Sequence, residues 1–250
     1  MVRVPRKSTR VPEPAALVEL LWNPRTVVGR SGLTIEALTS AAVRIADTDG
    51  LDAVTMRRVA DDVGVGAMTL YSYVPGRAEL IELMADRAAG EVYAGRDAPA
   101  AQGDWRAGIE YVAWTNWTYL IAHPWVTDVP PARPVLGPGV TAKYELELAP
   151  LDGIGLDDLS MDELLTSVLG LTLSAARWQL GLDRSRDESG LTDQQWWQVM
   201  QPAIEAQISA GQFPIASRVG ESVSSAGEPE AALRRGLRWL LDGVAATMGG

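Results

Sequence analysis

A short segment near residue 70 carries several hydroxyl groups, with one arginine before it and one after it. Thr69, Tyr71 and Tyr73 can donate hydrogen bonds to phosphate oxygens, contacts of the kind that position a protein on a nucleic-acid duplex. Arg57 can reach the O6 and N7 atoms of guanine. Arg77 can contact a further phosphate beside the positive end of the helix that begins there. These residue types predict a surface that binds DNA.

The same segment offers apolar and small side chains between its hydroxyl groups. Ala67 and Met68 can contact thymine methyl groups, and Ser72 lies on the same outer face. This face lacks the charged cover of an ordinary solvated helix. In the competing interpretation, Tyr71 and Tyr73 are packing residues and the nearby glycines only shape a corner. The residues taken together favour the recognition surface.

A helix-turn-helix would hold this segment in place. That motif needs a small residue where its two helices cross, a glycine in the turn and apolar anchors behind the second helix. Ala60, Gly64 and Leu70 meet these needs in that order, with Val65 as a second anchor. We therefore expect one helix from Thr55, a second over about 67–73 and a longer one from Gly76.

An amphipathic segment, "LTIEALTSAAVRIADTDG", precedes this motif. Its apolar residues recur at helical spacing: Ile35, Leu38, Ala42 and Ile45. Thr34 can cap the first turn and Gly50 suits the last one. Three short helices closed by a longer fourth are too small for an enzyme but suit a recognition module.

Residues 33–92, above all "GLDAVTMRRVADDVGVGAMTLYSYVPGRAELI", resemble the DNA-binding domain of the tetracycline-repressor (TetR) family of bacterial regulators. The combined pattern "T-x-R-x-x-A-x-x-x-G-V" and "T-L-Y-x-Y-V-x-x-[KR]-x-x-L" carries the resemblance. By position, it implies these DNA-contacting residues: Thr55, Arg57, Ala67, Met68, Thr69, Tyr71, Ser72, Tyr73 and Arg77.

Charge is distributed unevenly along the chain, whose formal net charge is −10. The first 30 residues hold six basic and two acidic groups, whereas 94–250 hold eleven basic and twenty acidic ones. The segment "RVPRKSTR" can extend into a minor groove, or serve as a solubilising tail. The predicted organisation is a basic extension, a helix-turn-helix domain, a connecting helix and a ligand-binding and dimerisation domain, at 1–30, 31–77, 78–93 and 94–250.

The C-terminal part reads as helical throughout, so the predicted fold class is all-α. "DWRAGIEYVAWTNWTYLIAHPW" forms a helix that Pro124 ends. Further helices are expected at about 140–150, 160–181, 192–210 and 228–248. "DRSRDESG" (183–190) is expected to be an exposed loop, and 211–227 is expected to be another loop or poorly ordered.

Two of these helices suit packing against a second copy. The helix near 160–181 mixes leucines with the small residues Gly170 and Ser174, and the helix near 228–248 has a broad leucine stripe. Isologous packing of the two pairs would give a four-helix interface, although both could instead fill the monomer core. The resemblance favours a homodimer through these helices.

Eight of the nine tryptophans lie beyond residue 100. Together they could line an aromatic ligand cavity, although any single tryptophan more often belongs to a hydrophobic core. The resemblance places Val112 and Asn116 in the pocket, with neighbours predicted to be Arg177, Trp178, Trp196 and Trp197. His123, the only histidine, suits a hydrogen bond at a helix end better than a metal site. No metal and no cofactor are expected.

An enzyme is the competing class, but no Ser-His-Asp arrangement can be built around one histidine at a helix end. Neither a nucleophile elbow nor a complete phosphate-binding glycine loop is present. No signal peptide or membrane span is expected, and the absence of cysteine fits a reducing cytoplasm.

The sequence predicts a ligand-responsive regulator, most simply a repressor that a small hydrophobic or aromatic molecule releases from a palindromic DNA operator. The alternative is a helical protein-interaction module or a small-molecule-binding protein without sequence-specific DNA binding.

Overall fold

The computed structural model describes residues 14–25, 27–28, 32–129, 135–208, 212–222 and 227–248. Within these ranges the regular structure consists of helices, short 3-10 turns and one antiparallel ladder between β1 (Val27–Val28) and β2 (Leu33–Thr34). The predicted all-α class is confirmed. The helices are α1 (Pro14–Trp22), α2 (Ile35–Asp49), α3 (Met56–Asp62), α4 (Ala67–Tyr71), α5 (Arg77–Glu91), α6 (Trp105–Ala122), α7 (Pro138–Leu148), α8 (Asp158–Ser189), α9 (Asp193–Glu205), α10 (Pro214–Ser222) and α11 (Pro229–Met248).

The described residues form two compact units. The first contains those up to Gly103 together with 122–150, and the second contains 104–121 and those from Leu151 onward. The predicted boundaries after residues 30, 77 and 93 concern function and stay predictions. The basic segment "RVPRKSTR" lies outside the described residues.

The two ends of α2 are fixed as its sequence predicts. Thr34 adopts an extended backbone and its Oγ1 accepts a hydrogen bond from the Ala37 amide at 3.1 Å. Gly50 closes the helix with a φ of 83°, a conformation that favours glycine. The predicted apolar stripe of α2 is buried.

The corner between α3 and α4 is the predicted helix-turn-helix. Thr55 Oγ1 caps α3 by accepting from the Arg58 amide at 3.2 Å. Ala60 is wholly buried at the crossing, and Gly64 has a φ of 73° in the turn. The Val65 amide then donates to the Ala60 carbonyl at 2.9 Å, which closes the corner.

Helix α1 was not predicted. Its sequence, "PAALVELLW", is an apolar run with too little alternation to reveal a helical period. Leu21 is buried, and the Trp22 indole nitrogen donates to the Leu136 carbonyl at 2.9 Å. This contact joins segments 114 residues apart, so local sequence could not reveal it.

Helices α5 and α7 are joined at a buried carboxylate. Asp86 of α5 accepts a hydrogen bond at Oδ1 from the Val140 amide in the first turn of α7, at 2.8 Å. Burial raises the pKa of the Asp86 carboxyl, while the amides of Val140 and Gly139 act in the opposite direction. A Cβ on Gly139 would lie 2.0 Å from the Asp86 carbonyl oxygen, so this position requires glycine.

The core of the second unit lies between α6, α8 and α11. Apolar residues from these helices and from Leu151 form one cluster, which includes Ile109, Val168, Leu237 and Leu241. A Cβ on Gly236 would lie 3.0 Å from Leu171 Cδ2, so α8 and α11 pack closely at this point.

Two loop predictions in this unit are wrong. Residues 183–189 continue α8, because Arg186 pairs with Asp183 and with Asp193 at the start of α9. These polar residues lack apolar periodicity, which explains the error. Within the predicted loop 211–227, residues 214–222 form α10, whose apolar residues recur at helical spacing.

Candidate DNA-binding surface and effector domain

The outer face of α4 is turned to solvent, as predicted. Leu70 and Val74 are wholly buried behind it. Met68 is 80% exposed and Tyr71 is 48% exposed on the opposite side. The remaining predicted positions are exposed or half-buried: Ala67, Thr69, Ser72 and Tyr73. The structure therefore brings this predicted set together on one short accessible helix and the turn after it.

Two predicted contacts lie at the start of α3. The Arg57 side chain is 88% exposed, with the Asp61 carboxylate at 3.9 Å. The Thr55 hydroxyl accepts the capping bond described above, and a hydroxyl oxygen that accepts can still donate its hydrogen. Both residues therefore lie where a duplex against α4 could meet them.

Neighbouring arginines of the first unit are engaged with carboxylates. Arg44 bonds to Asp62 at 2.9 Å, and Arg58 pairs with Asp49. These pairs neutralise positive charge near the helix-turn-helix. Arg57 consequently presents the more accessible guanidinium of this surface.

Arg77 lies where the sequence places it, but its guanidinium bonds to the protein itself. Nε donates to the Val54 carbonyl at 2.8 Å, and Nη2 donates to the Leu51 carbonyl at 2.7 Å. The side chain is 41% exposed. Sequence reasoning identified the residue but missed these two backbone partners.

The predicted pocket residues of α6 are buried. Val112 is wholly buried and Asn116 is 5% exposed. The Asn116 side chain donates from Nδ2 to the Val112 carbonyl at 2.9 Å. These two residues thus form a buried apolar and amide pair within the second unit.

The predicted neighbours lie on α8 and α9 and are more exposed. Trp196 and Trp197 stack on each other, with ring centroids 5.9 Å apart and planes at 28°. Trp178 is 42% exposed and lies so close to Gly227 that a Cβ there would be 1.9 Å from its ring. Arg177 is exposed one residue earlier on α8.

Sequence reasoning missed a polar cavity in the second unit. The cavity, of about 490 Å³, is lined in part by Gln179, Arg186, Asp193 and Arg234. The Arg234 guanidinium lies 4.7 Å from the ring centroid of Trp114, a cation–π contact. The Glu230–Arg234 spacing is visible in the sequence, but the stacking on a residue 120 positions away is not.

His123 bonds to a carboxylate on α2. Its Nδ1 lies 2.7 Å from Oδ1 of Asp47 on α2, and the same oxygen accepts from the Trp125 indole nitrogen at 2.7 Å. Trp125 is 1% exposed. The turn that follows α6 is therefore bonded to α2.

Comparisons with known protein families match both parts of the chain. The model described as "Bacterial regulatory proteins, tetR family" matches residues 38–84. The model described as "Tetracyclin repressor-like, C-terminal domain" matches residues 98–248. Together they cover the helix-turn-helix and nearly all of the helical region after it.

Proteins that are similar in sequence or in structure point to the same family. The HTH-type transcriptional repressor DrrR1 of Streptomyces coeruleorubidus is 35% identical over 92% of this chain and 85% of its own length. An HTH-type transcriptional regulator of Saccharopolyspora erythraea is 28% identical over 87% of this chain and 86% of its own. The structure of the TetR family protein ActR of Streptomyces coelicolor with actinorhodin has a TM-score of 0.71, with 23% identity over 87% of this chain and 99% of ActR.

The fold and the exposed α4 define a helix-turn-helix regulator with a helical effector domain. The chain belongs to the tetracycline-repressor family. As a member of this family it is a DNA-binding transcriptional regulator rather than an enzyme. The alternative of a helical module without sequence-specific DNA binding is not favoured. In the described part of the chain, no helix has both the length and the apolar content that a bilayer crossing requires.

Proposed function

We propose that the chain represses transcription by inserting α4 into the major groove of a palindromic operator. The orientation of α4 carries this proposal, because Leu70 is wholly buried whereas Met68 is 80% exposed. An exposed face that combines apolar and hydroxyl side chains matches the thymine methyl groups and phosphate oxygens that a DNA groove presents. Two such helices in a dimer would read half-sites about one helical turn apart.

Individual roles follow from side-chain chemistry. Arg57 reads guanine and Met68 contacts a thymine methyl group, with Ala67 beside it. The hydroxyl groups donate to phosphates and fix the register on the duplex. They belong to Thr55, Thr69, Tyr71, Ser72 and Tyr73.

In vitro selection of random duplexes on the full-length protein tests this proposal, because a random pool offers the protein every possible half-site. We expect enrichment of an inverted repeat. On the selected duplex, Tyr71→Phe should weaken binding about tenfold, since it removes one hydrogen bond to a charged phosphate. Tyr144→Phe, the same deletion on an exposed tyrosine of α7, is the matched control. Equal binding by both variants would contradict the assigned role of Tyr71.

We further propose that the effector is a small hydrophobic or aromatic molecule bound in the second unit. The proposed pocket residues are Val112, Asn116, Arg177, Trp178, Trp196 and Trp197. Buried Asn116 offers a polar group for orienting a ligand, and the stacked Trp196 and Trp197 offer an aromatic surface. ActR has been solved with actinorhodin and with (S)-DNPA, which makes these two compounds suitable first probes.

Tryptophan fluorescence tests the pocket. A probe bound beside Trp196 and Trp197 should quench the emission saturably and release the protein from the selected operator. The double variant Trp196→Phe/Trp197→Phe should lose much of that quenching, whereas Trp239→Phe on α11 should retain it. Identical quenching curves for the two variants would place the ligand elsewhere.

We also propose that the dimer forms through α8 and α11, where small residues of α8 and Trp239 of α11 lie exposed. In this scheme 1–30 is a basic extension, 31–77 binds DNA, 78–93 connects these two regions to the rest, and 94–250 binds the effector.

A protein that occupies chromosomal operators in bacteria acts in the cytoplasm, which we propose as its location. Gel filtration of the full chain tests the proposed dimer, and fractionation of the producing cell tests the proposed location.

A further inference from the structure

The first residue of α5 bonds to the backbone at the start of the helix-turn-helix. Arg77 Nε donates to the Val54 carbonyl at 2.8 Å, and Arg77 Nη2 donates to the Leu51 carbonyl at 2.7 Å. Val54 directly precedes Thr55, which caps α3. One guanidinium thus joins the residues immediately before α3 to the residue that follows the turn after α4.

These bonds close a loop around the motif. Residues 54 and 77 bracket α3, the Gly64 corner and α4, with a separation of 23 positions. An arginine presents N–H groups in a planar fixed fork, so two simultaneous bonds restrain direction as well as distance. Hydrogen bonds from a charged donor are also stronger than neutral ones.

The surroundings strengthen this arrangement. Val54 is wholly buried, so its carbonyl belongs to a fixed part of the core. The Leu51 carbonyl also accepts the Val54 amide at 3.1 Å, and an oxygen with two lone pairs can take both donors. Arg77 therefore completes the bonding of the 3-10 turn Leu51–Ala53, from which α3 emerges.

From this geometry we infer that Arg77 is a positioning residue for operator recognition, whose guanidinium fixes α3 and α4 against α5, instead of a phosphate contact. The inference rests on the proposed recognition surface. It also links that surface to the other end of α5, where Asp86 bonds to the first turn of α7. A displacement of α5 would then carry both ends of the helix-turn-helix with it.

The salt dependence of binding separates the two roles. A lost phosphate contact lowers the slope of log K against log salt by about 0.9, whereas a lost internal bond leaves the slope unchanged. Arg77→Lys gives a second distinction. A lysine keeps a phosphate contact, but its single ammonium does not reproduce the planar two-point bond to the Val54 and Leu51 carbonyls.

The experiment uses the full-length protein with its selected operator and a scrambled duplex, over a series of salt concentrations. Stoichiometric titration gives the active fraction of each variant, so that the measured Kd refers to folded protein only. We expect Arg77→Ala and Arg77→Lys each to bind the operator at least about tenfold more weakly, with an unchanged slope and an unchanged Kd for scrambled DNA. A purely structural role would lower the active fraction and leave the Kd of the folded protein alone.

Arg44 provides the control, because Arg44→Ala removes the same charge from the same unit and disturbs only a surface pair with Asp62. We expect it to bind within about twofold of the wild type. A slope reduced by about 0.9 in Arg77→Ala, or wild-type binding by either Arg77 variant, overturns the inference. If Arg77→Ala does not fold, Arg77→Lys decides alone. Failure of the wild-type protein to enrich any inverted repeat would instead refute the proposed recognition surface.

Discussion

The indole nitrogen of Trp125 donates a hydrogen bond to Oδ1 of Asp47 at 2.7 Å. Trp125 lies in the turn directly after α6, and Asp47 lies on α2, the helix that precedes the helix-turn-helix. His123 reaches the same carboxylate oxygen, and its ring meets the Trp125 ring edge to face at 6.4 Å. One surface carboxylate therefore holds the turn that leads out of α6.

Removal of this carboxylate should destabilise the protein. Asp47→Ala leaves the buried indole N–H without its acceptor, at a cost of about 1–3 kcal/mol in the free energy of unfolding. Asp47→Asn retains an acceptor oxygen and should cost less. Urea unfolding of the full chain measures both values. Equal stability of Asp47→Ala and the wild type would mean that this bond is dispensable.

Met68 and Leu70 lie on opposite sides of α4, so their replacement by alanine should affect operator binding and stability differently. Met68→Ala should leave the free energy of unfolding nearly unchanged, because Met68 is 80% exposed, but it should weaken binding to the selected operator. Leu70→Ala should cost about 2–5 kcal/mol, because it opens a cavity behind the helix. Urea unfolding and operator titration of both variants check the contrast. It fails if Met68→Ala unfolds as easily as Leu70→Ala.

The buried carboxyl of Asp86 predicts a specific pH dependence. Burial raises its pKa, so between the pKa of the unfolded chain and that of the folded chain the folded state binds more protons. The contribution of Asp86 to stability is therefore fully present below the unfolded pKa and is lost as the pH rises through the folded pKa. Asp86→Asn cannot ionise and keeps an oxygen for the Val140 amide. Its stability relative to the wild type should rise with pH across that window.

Asp157, which caps α8, supplies a control of opposite sign. The Ser160 side chain and amide lower its pKa, so its contribution is present above the unfolded pKa and is lost as the pH falls through the folded pKa. Asp157→Asn should therefore lose stability relative to the wild type as the pH rises above the folded pKa. Urea unfolding at several pH values follows both variants. Parallel pH profiles for the two would contradict the assignment.

The exposed tryptophan of α11 tests the proposed dimer. Trp239 is 67% exposed on the helix face opposite the buried leucines. Trp239→Glu should shift the full chain toward monomer in sedimentation equilibrium, because a charge is costly to bury in an interface. Operator affinity should fall with it, since one short helix reads few base pairs. Trp22→Glu on α1, at 52% exposure, serves as the matched control and should sediment like the wild type.

Local signals account for what could be predicted of the fold. The caps at Thr34 and Thr55 and the positive φ of Gly64 could be predicted, because a cap or a positive φ depends on the residue and its immediate neighbours. The all-α class and the orientation of α4 followed from such signals and from apolar spacing. The apolar run of α1 and the charged end of α8 carry no helical period, and their helices depend on tertiary contacts.

The candidate site divides in the same way. The outer residues of α4 follow from one short motif, so the sequence identified them together. The two carbonyl partners of Arg77 are 23 and 26 positions away, and the cation–π contact of Arg234 on Trp114 spans 120 positions. Spacing along a chain does not encode such distances. The bonding role of Arg77 could be found only in three dimensions.

The approach of α5 to α7 at Gly90 and Gly139 has a mechanical consequence. A Cβ on Gly90 would lie 3.2 Å from the Gly139 Cα, so the two helices touch main chain to main chain. A pliable side chain between two helices can absorb a small shift by changing rotamer, but a bare peptide backbone cannot. A small displacement of α7 is therefore transmitted directly to α5. This pair of glycines makes the contact between the two helices rigid.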